Sequence, residues 1–137
     1  MAEYAMNVPS LSEYSRFQQR LHRRYEDWLS ALPLGEPNKA LMQQTLQTLR
    51  ERGLDLAASL RVLRQLVMER VMVLDCEQQA PLAVVARAVT ELAELALDKA
   101  CEQVRTELDA RHGQPQGATQ QPVQLWIVGM GKLGARE

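Results

Sequence analysis

Apolar side chains recur along most of this chain at steps of three and four residues, the interval that stacks them on one face of an α-helix. Tyr14, Phe17, Leu21, Tyr25, Trp28 and Leu32 predict a first helix. It should begin near Ser10, where the hydroxyl and Glu13 make a capping box, and end at Pro33, Gly35 and Pro37. Asn38 is placed to cap a second helix whose buried side uses Leu41, Leu46 and Leu49, with Gly53 closing it. Asp55 can cap a third, striped by Leu56, Leu60, Leu63, Val67, Val71 and Leu74. Gln78 to Pro81 reads as a break, with Pro81 suited to the first turn of the next helix. A long fourth helix, Leu82 to Arg111, keeps Leu82, Val85, Val89, Leu92, Ala96, Ala100, Val104 and Leu108 on one face, and its alanines would admit a close neighbour. Four apolar stripes can be buried together only in a bundle.

The pattern then changes. Residues 112–122, HGQPQGATQQP, are polar and rich in Gly, Pro and Gln, as in a linker. Val123-Gln124-Leu125-Trp126-Ile127-Val128 is a short apolar run with β-branched residues, bounded by glycine, which predicts a buried strand. One strand cannot satisfy its own backbone groups. Residues after about Gly113 are therefore expected to be mobile, or to pair with another molecule as an open edge. The fold expected is mainly α: a helical region over residues 1–111, a linker over 112–122, and the start of an α/β domain over 123–137.

Composition narrows the possibilities. The 137 residues suffice for one domain, and 46% hydrophobic with 24% charged residues is the balance of a globular protein. A net charge of −1 gives no basic field to attract nucleic acid. Cys76 and Cys101 have no redox or metal-ligand spacing and read as reduced residues in or near the core. The start lacks a secretory pattern, and nowhere do 18 apolar residues run together, so no membrane span is expected and the cytoplasm is the default location.

Chemistry is concentrated at Gly129-Met130-Gly131-Lys132-Leu133-Gly134-Ala135-Arg136-Glu137. Glycines directly after a strand permit a tight turn and bring backbone amides close to a phosphate, and a helix start favours negative charge. Gly129, Gly131 and Lys132 are the candidate nucleotide-contacting residues. By spacing alone a plain glycine turn fits as well. So does a dinucleotide fingerprint, which requires an acidic residue roughly 20 positions further on.

The wording of this stretch goes further than its spacing. LWIVGMGKLGARE closely resembles the strand and GMGKLGGxEL segment that opens a nucleotidyltransferase domain in bacterial glutamine synthetase adenylyltransferases. YSRFQQRLHRRYEDWLSAL is similar to that family's early helix with its Trp-Leu pair. LAASLRVLRQLVMERVMVLD resembles its Arg-rich helix, with Arg64, Met68 and Arg70 in the matching rhythm. The resemblance implies an enzyme of two similar halves that regulates nitrogen assimilation. One half moves AMP from ATP to a tyrosine of glutamine synthetase. The other, which this chain would begin, removes it by phosphorolysis and releases ADP. It implies PII-type signalling proteins and glutamine as regulators, ATP or ADP as nucleotide, and Mg2+ held by an Asp-x-Asp pair. In the family a Ser-Asp-Ile-Asp segment follows the GMGKLG stretch; these 137 residues contain no Asp-x-Asp, and Asp27, Asp55, Asp75, Asp98 and Asp109 are too scattered to replace it. The chain alone is therefore expected to be inactive, with no catalytic or metal-binding residue of its own and no tightly bound cofactor.

Other polar groups have simpler readings. Arg61, Arg64 and Arg70 fit a solvated or salt-bridged face near Glu69 and Asp75, or else a phosphate or synthetase contact. His22 and His112 suit surface or capping roles, and Glu91, Glu94, Asp98 and Glu102 form a solvated acidic stripe. Tyr25 and Trp28 belong to an apolar period and so to the core. Two rival functions stay open: a non-catalytic helical interaction module, and a truncated dinucleotide-binding protein.

Overall fold

The computed structural model describes residues 14–136. The capping box expected at Ser10 and Glu13 lies outside them. Helix α1 spans Arg16–Tyr25 and is capped instead by Ser15, whose side chain accepts from the Gln18 amide at 3.4 Å. It passes into a 3-10 turn over Glu26–Ala31 rather than continuing as one helix. α2 is Lys39–Glu51, α3 Leu56–Cys76, α4 Leu82–His112, and a single turn, α5, covers Lys132–Ala135.

The caps read from the sequence are in place. Asn38 accepts from the Leu41 amide at 3.0 Å and Asp55 from the Ala58 amide at 2.6 Å. Gly53, at φ +97, donates to the Arg50 carbonyl while Leu54 donates to that of Leu49, the double reverse bond of a Schellman motif. Pro81 precedes α4 as its cap rather than occupying its first turn, and Gln79 turns the chain there at φ +49.

α3 is the central element. It packs against α1, α2 and α4, and α2 also touches α4. Its stripe is correspondingly wide: Ser59, Val62 and Leu66 are buried beside Leu56, Leu63, Val67, Val71 and Leu74. α2 contributes Met42, Leu46 and Leu49 to the core, and Leu32, the residue before Pro33, joins them. Leu41, expected inward, is only half-buried, and Thr45 takes the interior position. Its hydroxyl donates to the Leu41 carbonyl at 2.8 Å, so the buried polar atom is satisfied.

Two stripes differ from expectation. Tyr14, just before α1, and Phe17 on it face solvent while Leu21 and Gln18 are buried, because α3 is the only long helix in substantial contact with α1. On α4 the buried residues are Ala88, Thr90, Leu92 and Leu95; Leu82 is 80% exposed, and Val104 and Leu108 are 52% and 48% exposed. The alanine that admits a close neighbour is Ala88, not Ala96 or Ala100. The physical reason is length. At about 1.5 Å per residue α4 is roughly 46 Å long and α3 roughly 32 Å, so the outer turns of α4 pass the end of their partners.

After α4 the chain doubles back. Gln116 and Pro122 form an isolated antiparallel bridge, and the Val123 amide donates to the Pro115 carbonyl at 3.0 Å. Residues 123–130 carry no regular secondary structure, and no strand is formed among the described residues. None of the described helices is long and apolar enough to cross a membrane.

Candidate functional site

The glycine-rich turn is built by contacts among its own backbone atoms. Gly131 has φ +62 and ψ −137, a conformation closed to residues with a side chain, and it sends the chain into α5. The Ala135 amide then donates to the Gly131 carbonyl at 2.9 Å. Gly134 lies directly against Gly129: a Cβ on Gly134 would stand 2.5 Å from the Gly129 carbonyl oxygen and 3.0 Å from its carbon. At Gly129 a Cβ would meet the Leu133 side chain at 3.4 Å, a far milder conflict. The sequence reading selected Gly129, Gly131 and Lys132. The structure brings these three into one exposed turn, and adds Gly134 as the residue that lets the turn close. The third glycine of a GxGxxG spacing was the available signal for it.

The turn is held against the bundle by charge. Arg136 reaches Glu94 of α4 at 3.0 Å, and Glu94 also lies 4.0 Å from Lys39. Lys39 pairs with Asp98 at 3.3 Å, and its backbone amide donates to the Glu91 carboxylate at 2.6 Å. The acidic stripe is thus not merely solvated. Three of its members grip the first residue of α2, where the unpaired amides of a helix start favour negative charge. Glu102, the fourth, pairs with Lys99 along its own helix at 2.7 Å.

The arginines of α3 do not form a cluster. Arg61 and Arg64 are exposed, whereas Arg70 is half-buried with its Nε unpartnered. Glu69, expected near those arginines, instead meets His22 of α1 at 3.1 Å and is itself buried. His22 therefore serves as the polar tie between α1 and α3. Tyr25 and Trp28 pack against the core as half-buried rings, and the Arg52 guanidinium lies 5.6 Å from the Trp28 ring centre. Cys76 and Cys101 are free thiols, both half-buried.

Among the described residues no three His, Cys, Asp or Glu side chains come together to hold a metal. The one Asp-x-Glu spacing, Asp75-Cys76-Glu77, lies at the end of α3, where two residues two positions apart project in nearly opposite directions.

Comparison with known proteins agrees over nearly the whole chain. The family model described as glutamate-ammonia ligase adenylyltransferase matches residues 6–137. The bifunctional glutamine synthetase adenylyltransferase/adenylyl-removing enzyme of Aromatoleum aromaticum is 38% identical over 137 residues, covering 95% of this chain and 15% of the relative. Its namesake from Ralstonia nicotianae is 35% identical over 139 residues, with the same coverage of each. That of Bordetella pertussis reaches 46% over 79 residues, 57% of this chain and 8% of the relative. The chain thus spans about 15% of the length of the first two relatives. No solved structure matches it.

Proposed function

Because the chain belongs to the glutamate-ammonia ligase adenylyltransferase family, we propose that it supplies the N-terminal part of an enzyme that adenylylates and deadenylylates glutamine synthetase. In this reading it belongs to the deadenylylating half. Residues 1–111 form a helical region, 112–122 a linker, and 123–137 the first strand and glycine turn of a nucleotidyltransferase domain. The observation that carries the reading is the joint one: relatives of that name align over 95% of the chain, and the family match, residues 6–137, takes in the GMGKLG turn, in which Gly134 lies against Gly129.

The chemistry proposed for the turn follows from its parts. Exposed amides around Gly129 and Gly131 and the Lys132 ammonium would face the phosphates of ATP or ADP. Mg2+ would neutralise charge on the transferred phosphate, held by carboxylates that these 137 residues do not provide. The chain alone is accordingly inactive, and neither nucleotide nor Mg2+ binds it tightly. Glutamine synthetase is the protein substrate, a PII-type protein the regulator, and the cytoplasm the site of action.

Two measurements test this. Incubated with adenylylated glutamine synthetase, phosphate and Mg2+, the 137-residue chain is expected to release no ADP. A chimera carrying these residues in place of the matching stretch of the Aromatoleum aromaticum enzyme is expected to release it. ADP from the chain alone would overturn the incomplete-site reading. A chimera that keeps phosphorolysis but loses only AMP transfer from ATP would place the segment in the other half.

A further inference from the structure

Helix α1, RFQQRLHRRY, holds four arginines and a histidine and no acidic residue, in a chain whose net charge is −1. At about 100° per residue, Arg16, Arg20 and Arg23 fall within about 60° of one another and form a row about 10 Å long. The row lies opposite Gln18 and Leu21, the residues that α1 buries, and all three arginines are exposed. Arg24 and Phe17, at its edge, are exposed as well.

Folding does not account for this row. Lys39, Arg87, Lys99, Arg105 and Arg136 are each paired with a carboxylate. Among the described residues none of the four arginines of α1 meets one; Arg24 instead lies 5.7 Å from the Tyr25 ring centre. His22, Arg23 and Arg24 suit the negative end of the helix dipole, but Arg16 stands at its positive end, where a cation is disfavoured. Arg16 with Arg20, and Arg20 with Arg24, are like charges four residues apart, a spacing that weakens a helix. An anionic surface laid against α1 would relieve both conflicts.

We propose that the outer face of α1, through Arg16, Arg20 and Arg23, docks an acidic surface of glutamine synthetase, the protein substrate. The inference rests on the functional reading above and names the part of this chain that meets that substrate. Charge selects an anionic occupant, and four arginines without a lysine suit the forked, two-bonded grip on carboxylates. A nucleic acid fits less well, because Glu26 and Asp27 follow α1 directly and end the positive row within about 10 Å. A membrane fits less well too, because α1 turns its buried residues to α3 and not outward. The relatives are named for one protein on which they act, glutamine synthetase. The glycine turn is tied to Glu94 of α4, whereas α1 packs on α3 and the 3-10 turn. Docking at α1 therefore changes how substrate is held and leaves the reacting groups alone.

The test replaces Arg16, Arg20 and Arg23 together by Gln, a good helix former without charge. In the chimera with the Aromatoleum aromaticum enzyme, KM for adenylylated glutamine synthetase is expected to rise at least about tenfold, with kcat within about twofold of the parent. Raising sodium chloride from about 50 to about 300 mM should raise KM of the parent and scarcely that of the variant. The thermal midpoint of the 137-residue chain should stay level or rise with the same substitutions, because repulsion is removed. An unchanged KM would overturn the proposal, and so would a lowered midpoint, which makes the arginines structural. Should the chimera not fold, binding of the immobilised 137-residue chain to adenylylated glutamine synthetase decides, with the same loss of about tenfold expected. Arginine-dependent binding that is tighter to polyuridylate or to phosphatidylserine vesicles than to the synthetase would assign the face to RNA or lipid and overturn the proposal. The two readings fail separately. Arginine-dependent binding to the synthetase by a chimera that releases no ADP would reject the functional reading alone; ADP release with KM unmoved by the substitutions would reject the docking face alone.

Discussion

Gly134 shows how one hydrogen atom in place of a methyl group can set the shape of a site. Its α-carbon lies so near the Gly129 carbonyl that Gly134→Ala forces the turn open. In the isolated chain the substitution should shift stability by less than about 0.5 kcal/mol, since the turn carries little of the core. In the chimera it should lower phosphorolysis at least about tenfold, with ADP release as the readout. Leu63 and Leu66 are the opposite case. Both are fully buried on α3, and Leu63→Ala should cost about 2–5 kcal/mol, measured by urea unfolding. Candidate positions at this scale were legible from residue type where the requirement is local, as at Asn38, Asp55 and Gly53. They were not legible where the requirement joins distant residues. Nothing in the spacing of His22 and Glu69, 47 positions apart, announces that they meet.

Elements were read well and their faces less well, for one reason. A period of three and four residues identifies a helix whatever covers it, but which side is buried depends on how many neighbours there are. α3, packed against α1, α2 and α4, buries a second row through Ser59, Val62 and Leu66; α1, packed against α3 and the 3-10 turn, exposes Phe17. The strand expected at 123–128 needs a ladder to exist at all, and the described residues supply none. α4 divides accordingly. Hydrogen exchange of the isolated chain should show strong protection around Ala88 to Leu95 and weaker protection beyond Ala100, where packing is missing. Glu91→Ala, which removes the carboxylate from the Lys39 amide, should weaken the bundle by about 1 kcal/mol in the same urea assay.

At the scale of the molecule, a helical bundle was foreseeable from four stripes, while its unequal helix lengths became meaningful only once their partners were placed. α4 is shared: its first half is core and carries Glu94, which pairs with Arg136 beside the glycine turn, while its second half reaches the returning chain through Arg105 and Val123. An unbroken helix has little freedom to bend, so from Leu95 to His112 it behaves as a rod about 26 Å long. Tilting such a rod by about 5° at its embedded end sweeps the far tip through roughly 2 Å, and the chain that turns back from His112 moves with it. Anything that repacks Ala88, Leu92 or Leu95 is in that sense a hand on the short arm of a lever.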